Sequence, residues 1–342
     1  MDSLTIDLPY TAAIIIPNWN GKKFLADMLD SILVQTFTDF RLFVVDDGST
    51  DGSIDILREY ACKDKRILYI VRNREPKGAQ TCRNIGYELS KGAKYVLFFD
   101  NDDLVAPYCL EQRVNFMESH PELDFSIFPA INFRNQPFDI TTAVWGYRYL
   151  DDSLKAILEW TLPMVGWTNI YKRISYEMKG LLWDEKLKSM QDSDFNIQAI
   201  LKGCKFEYAG DVKPDYYYRV TEESISSKLY SKEHAESHVY LIKKILESLS
   251  EVRQSKYSKD LMCYFIKFVE ILITHKEQVK KLIDTPWIFR HRWFFIRLKL
   301  WQLLGYKGRI LYFLFFKEFY NFKQKQAAWK EFGTEKVNSI LK

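Results

Sequence analysis

Four short, nearly continuous apolar runs recur in the first hundred positions, at residues 11–16, 41–46, 67–71 and 95–100. Runs of this kind suit strands covered on both faces, as in a parallel sheet. Between them, residues 24–35, 53–62 and 81–90 place apolar side chains at helical spacing. That alternation predicts βαβ units and a mostly parallel sheet flanked by helices, an α/β fold. Residues 124–129 fit a fifth strand. Residues 131–190 lose the clean periods and carry aromatic and polar clusters, including Trp145, Tyr147, Tyr149, Trp160 and Trp167. Residues 192–201 read as a helix and 216–219 as a short strand. From about Ser231 the pattern is helical, with Pro286 as the predicted break because proline disfavours helix in the residue before it. The expected organisation is an α/β domain over 1–225 and a helical region over 226–342.

Polar residues cluster where the predicted strands end. The first strand ends in Pro17-Asn18-Trp19-Asn20-Gly21, the second in Asp46-Asp47-Gly48-Ser49-Thr50-Asp51-Gly52, and the fourth in Asp100-Asn101-Asp102-Asp103. Open parallel sheets bind ligands beyond the carboxyl ends of their strands. Carboxylates gathered in one crevice repel one another unless positive charge lies among them. A divalent cation and Arg83 are natural partners. Asp100 and Asp102 offer hard oxygen ligands, which suit Mg²⁺ or Mn²⁺ better than zinc. A plainer reading exists for each cluster. The second is also a turn and helix cap, through Ser49, Thr50 or Asp51. The Asp100–Asp103 cluster taken alone is also a solvated turn. The segment from Gly78 to Gly86 matches neither a dinucleotide-binding nor a P-loop fingerprint.

Taken in order and at these separations, the Pro-x-x-Asn strand end, VVDDGSTDGS, Gly-x4-Arg-Asn-x-Gly and FFDNDD resemble family 2 glycosyltransferases of the GT-A fold, over about residues 11 to 225. The resemblance implies an inverting transfer of a sugar from a nucleotide diphosphosugar, UDP-linked by expectation, to a hydroxyl of a glycan or lipid-linked acceptor in surface polysaccharide synthesis. It places Pro17, Asn18 and Asn20 beside the nucleotide, and Asp46 or Asp47 on the base. Arg83 lies near the base or diphosphate, and Asp100 and Asn101 near the ribose and metal site. Asp102 is the principal ligand of Mn²⁺ or Mg²⁺, with Asp100 beside it and Asp103 shaping the site. The family's general base falls on Asp192, within Gln191-Asp192-Ser193-Asp194-Phe195. Gln191 stands where the family has Glu, and Thr221 where it often has His. Asp194 reads as structural. Arg219 and Ser224 are candidates to assist with the diphosphate, and the region from Trp145 to Trp167 falls where the family builds its acceptor pocket.

Charge adds a second theme. The chain of 342 residues carries a net +4. Residues 275–342 alone carry a net +10, so the rest is mildly acidic. Fifteen aromatic residues lie between Trp287 and Trp329, but no apolar window reaches the ~18 residues that span a bilayer. The tail reads as a helical subdomain with a solvated basic face, or as an interfacial anchor on an anionic membrane surface over 286–330. The second is preferred because a lipid-linked acceptor would give it a purpose. No nucleic-acid-binding fold is present. Five scattered cysteines and an N-terminus without a basic, then apolar, leader point to a reducing, cytoplasmic setting, with peripheral contact at the membrane. A nucleotidyltransferase shares the acidic layout but would carry a basic Gly-rich loop after the first strand. A non-catalytic nucleotide-sugar-binding subunit is the remaining alternative.

Overall fold

The computed structural model describes residues 9–140, 144–145, 152–158, 165–221, 231–262, 264–265, 275–283, 285, 287 and 335. The chain begins with β1 (Tyr10–Asn18), α1 (Leu25–Leu33), β2 (Phe40–Asp46), α2 (Ser53–Lys63), β3 (Ile67–Val71), α3 (Ala79–Leu89) and β4 (Ala93–Phe98). It continues through β5 (Leu104–Val105), α4 (Cys109–Ser119), β6 (Phe125–Ile127), β7 (Ala130–Phe133), β8 (Val144–Trp145) and α5 (Ser153–Leu158). Then come β9 (Asn169–Lys172), α6 (Arg173–Met178), α7 (Gln191–Leu201), β10 (Phe206–Tyr208), β11 (Tyr216–Arg219), α8 (Lys232–Ser248), α9 (Glu251–Lys256) and α10 (Lys276–Ile283).

Seven strands form the main sheet in the order β10-β6-β9-β4-β1-β2-β3. The β3-β2-β1-β4 part is parallel, as the apolar runs predict. Strand periodicity divides β1 between two cores. Ala13 and Ile15 face one that includes Phe195 and Ile242, while Ala12, Ile14 and Ile16 face the other, which includes Leu29 and Leu110. Gly86 lets α3 lie close on β1, because a Cβ there would collide with Ile15.

Two features were not legible in the apolar runs. β9 enters between β4 and β6 and runs antiparallel to both. Its four residues, Asn-Ile-Tyr-Lys, are too few and too mixed to show a period. A second sheet, β5-β11-β7-β8, stands apart from the first and contains the strand predicted at 216–219.

The helices α8 and α10 join the same core as α7, through residues such as Ala235, Ile242, Ile245 and Leu282. Trp287 is buried and meets Phe265 edge-on at 5.6 Å. Among the described residues no helix is long and apolar enough to cross a membrane. Tyr147, Tyr149, Trp160, Ser224, Pro286 and the basic tail from 288 onward, Glu335 excepted, lie outside the described residues, and Trp145 is described only through its backbone pairing with Ala130.

Candidate active site

The carboxyl ends of β1 and β2 meet in register, with Asn18 beside Asp46. Asp46 is fully buried and accepts four hydrogen bonds: from Asn18 Nδ2 at 2.7 Å, Gly48 N at 2.9 Å, Ser49 N at 2.7 Å and Ser49 Oγ at 2.6 Å. Its capacity is taken up by its own loop. Asp47 instead turns to Arg72, whose Nε donates to it. Asn20 adopts a positive φ of 50° and accepts from Thr50 N at 2.9 Å, which ties the first loop to the second. Pro17 lies within β1 opposite Val45. Asn101 Nδ2 donates to Asn18 Oδ1 at 2.5 Å, so the turn after β4 is tied to the end of β1.

Arg83 joins the two halves of the site. It projects from α3, donates from Nη2 to Asp100 at 2.7 Å and from Nη1 to Gln191 at 3.1 Å, and stacks over Trp183 at 4.6 Å. Trp183 is held by Asn84, which accepts from its backbone N–H and donates to its carbonyl. Gln191 immediately precedes Asp192 at the start of α7, so Arg83 brings the Asp100 turn and the Asp192 helix to one crevice. Asp192 accepts from Gly166 N at 2.7 Å. Burial holds its carboxyl above the usual carboxylate range, opposed by the Arg83 charge and reinforced by Asp100.

The remaining acids divide by environment. Asp102 is pushed up to about 6, by burial first and then by Asp100. Asp103 is fully buried and its carboxyl stands well above the usual range, chiefly from desolvation. It accepts from Tyr216 Oη at 2.7 Å and from Arg219 N at 2.7 Å, so it secures the turn against β11. The Arg219 guanidinium lies between Phe24 and Phe133 and donates to the Asp102 carbonyl at 2.7 Å and to Asp27 at 3.2 Å. Its contacts shape the Asp102 turn from behind. Asp194 pairs with Lys244 at 2.7 Å, a structural tie to α8.

The donor set suits a hard cation. Asp102 holds its proton more tightly than a free carboxylate, through burial first and then the charge of Asp100. Among the described residues no group of three or more His, Cys, Asp or Glu side chains stands ready for a metal. Two carboxylates with open positions fit Mg²⁺ or Mn²⁺, which complete their shells with water and substrate phosphate oxygens.

Sequence reasoning missed Trp183, and it gave no individual role to Gly166, in the stretch that ends at Trp167, or to Tyr218, beside Arg219. A Cβ on Gly166 would stand 2.8 Å from Asp192 Oδ1 and 2.7 Å from Trp183 Cη2, so glycine is what lets that backbone reach the acid. Tyr218 is desolvated and feels the charges of Asp103, Asp100, Asp102 and Asp192, all of which raise its pKa. Trp183 stands in no recognisable spacing. Trp167 is 5% exposed and stacks on Tyr216 and Tyr218, so its ring belongs to the packing behind the crevice.

Comparison with known proteins bears on the family and the fold. The family model for glycosyl transferase family 2 matches residues 13–176. Poly(ribitol-phosphate) beta-glucosyltransferase of Bacillus spizizenii is 27% identical over 214 residues, which are 62% of this chain and 32% of that protein. The chain thus spans about a third of the length of that relative. Among solved structures, S. aureus TarS 1-349 in complex with UDP-GlcNAc superposes with a TM-score of 0.57 at 19% identity, covering 96% of this chain and 92% of that one. The mannosyltransferase PcManGT from Pyrobaculum calidifontis, in complex with GDP-Man and Mn²⁺, gives 0.54 at 14% identity, covering 97% and 89%. At these identities the two structures speak for the fold. With β1 to β4 and their acidic ends inside the matched segment, the chain belongs, through residues 13–176, to glycosyl transferase family 2 on a GT-A fold.

Proposed function

We propose that the protein is an inverting glycosyltransferase that moves a sugar from a nucleotide diphosphosugar, UDP-linked, to a hydroxyl of a glycan or lipid-linked acceptor in surface polysaccharide synthesis. The observation that carries this reading is the Arg83 bridge, which sets the Asp100–Asp103 turn and Asp192 on one crevice. In this reading Asp47, not Asp46, meets the base, because Asp46 is already bonded to its own loop. Asn18, Asn20, Pro17 and Asn101 line the nucleotide end.

Asp192 acts as the general base. A hydroxyl is a poor nucleophile, and full deprotonation before attack is uphill by many pK units. The proton therefore passes to the Asp192 carboxylate as the new bond forms, by analogy with inverting glycoside chemistry. Burial raises its basicity, and the Gly166 N–H orients the carboxylate and opposes part of that rise. A base across the sugar from the diphosphate gives inversion in one step. Asp100 and Asp102 would hold Mn²⁺ or Mg²⁺, which when bound neutralises a departing diphosphate. Arg83 adds fixed positive charge on the same side.

The domain reading is a transferase domain over 1–225 and a helical region over 226–342. The basic, aromatic stretch over 286–330 would meet an anionic membrane surface, where a lipid-linked acceptor is presented.

The test is a thermal-shift screen of UDP-glucose, UDP-GlcNAc and GDP-mannose with and without Mn²⁺, followed by UDP or GDP release. A ligand at 100 times its Kd adds ~2.7 kcal/mol of stability. Stabilisation by a UDP-sugar that requires Mn²⁺ is expected, and Asp192→Asn should keep it while turnover falls ~10²–10⁴-fold. Asp192→Asn at wild-type turnover would remove the base assignment.

A further inference from the structure

Trp167 lies behind the crevice, yet its contacts reach both halves of the site. Its ring stacks on Tyr216 at 4.6 Å with an interplanar angle of 8°, and on Tyr218 at 5.5 Å with an angle of 16°. The two tyrosines are two apart on β11, so their side chains share one face of that strand. On the metal side, Tyr216 Oη donates to Asp103 at 2.7 Å and accepts from the Asp100 N–H at 3.2 Å. On the base side, the residue before Trp167 is Gly166, whose N–H donates to Asp192 at 2.7 Å. The Trp167 carbonyl is fixed as well, accepting from Arg113 Nη1 at 2.9 Å. One indole therefore joins a strand that grips the Asp100–Asp103 turn to a backbone N–H that grips Asp192.

We propose that Trp167 is a positioning residue for sugar transfer: its stack on Tyr216 and Tyr218 sets the Gly166 N–H, and with it Asp192, at a fixed distance from the Asp100–Asp103 turn. The proposal rests on the reading of Asp192 as general base. It predicts a division of labour. On the proposed reading the nucleotide contacts of the donor lie at Asp47, Asn18 and Arg83, and the stack on Tyr216 and Tyr218 includes none of them. The chemical step needs Asp192 and the diphosphate end of the site in register, and a displacement of ~1 Å there can cost ~10²-fold.

The experiment compares wild type, Trp167→Leu, Trp167→Phe and Tyr218→Leu as full-length chains. UDP-glucose and UDP-GlcNAc turnover is measured with Mn²⁺, and UDP affinity by calorimetry. Trp167→Leu is expected to lower kcat ~10–100-fold while donor KM and UDP affinity stay within about twofold. Trp167→Phe retains a stacking ring and should recover most of the loss. A folded Trp167→Leu with wild-type kcat overturns the proposal. So does a loss that appears in KM alone, or a Phe variant as impaired as the Leu one. If Trp167→Leu does not fold, Tyr218→Leu removes one face of the same stack at a partly exposed position, and the same kcat-against-KM division decides. Asp192→Asn is run alongside. If it keeps full turnover, the base reading fails, and the Trp167 proposal with it. If it is inactive while Trp167→Leu is normal, only the Trp167 proposal fails.

Discussion

Lys244 on α8 stands 2.7 Å from Asp194, two positions after the proposed base on α7. The same ammonium lies 2.6 Å from Asp184, which also accepts from Tyr240 Oη at 2.9 Å. Ser193 accepts from Tyr264 Oη at 2.9 Å. The first turn of α7 is therefore clamped by helical residues that come after the second sheet in the chain. Asp194 is 1% exposed, and burial keeps its carboxyl above the usual range even with Lys244 beside it. Removing the cation strands that acid. Lys244→Met should cost about 3 kcal/mol, the low end for breaking a buried pair, because Lys244 itself retains some solvent contact. Urea unfolding measures this, and an unchanged midpoint would show the clamp to be idle.

Arg113 and Asp215 form a fully buried pair with two guanidinium bonds, at 2.9 Å and 2.7 Å. The pair fastens α4 to the start of β11 and, through the Trp167 carbonyl, to the Gly166 turn. Arg113→Met leaves Asp215 without its counter-charge and should cost ~3–5 kcal/mol. The double variant with Asp215→Leu should recover much of that loss, since the uncompensated charge is gone. A double variant no more stable than the single one would contradict this account.

Cation binding should depend on pH through Asp102. Its carboxyl is raised to about 6 in the absence of a cation, by burial and then by Asp100. A raised carboxylate works against the cation-free fold: the contribution is favourable below the unfolded value of ~3.9 and is lost as pH rises through about 6. Binding runs the opposite way, because the ligand must be ionised. Mn²⁺ affinity, followed by electron paramagnetic resonance, should fall ~10-fold per pH unit below about 6 and level off above it. Asp102→Asn should abolish the dependence along with most of the affinity. A flat affinity between pH 5 and 7 in the wild type would assign the cation elsewhere.

Gly166→Ala is a third probe of the base. The added Cβ meets Asp192 Oδ1 at 2.8 Å and Trp183 Cη2 at 2.7 Å, so the turn, the acid or the indole must move. Overpacking of this kind costs ~1–3 kcal/mol, and misplacement of the base should lower kcat ~10–100-fold. Steady-state kinetics on the folded variant check it. Normal kcat would mean that the Gly166 contact has no part in the reaction.

The amino-acid sequence alone determined the parallel half of the main sheet, because strands buried on both faces must be apolar without interruption, and that pattern survives in one dimension. It also set the candidate site residues at the ends of those strands, where open parallel sheets bind ligands. The Asp47, Arg83, Asp100, Asp102 and Asp192 candidates follow from that rule together with the ordered motifs. Tertiary structure alone decided which acid is bonded to what. Asp46 and Asp47 are adjacent and identical in type, yet loop N–H groups engage the first and Arg72 the second. It also decided the antiparallel entry of β9, the second sheet and the Gly166 contact. Each of these joins segments far apart in the chain, through elements of two to four residues or through a single backbone N–H, and such pieces are too short to leave a period in the sequence.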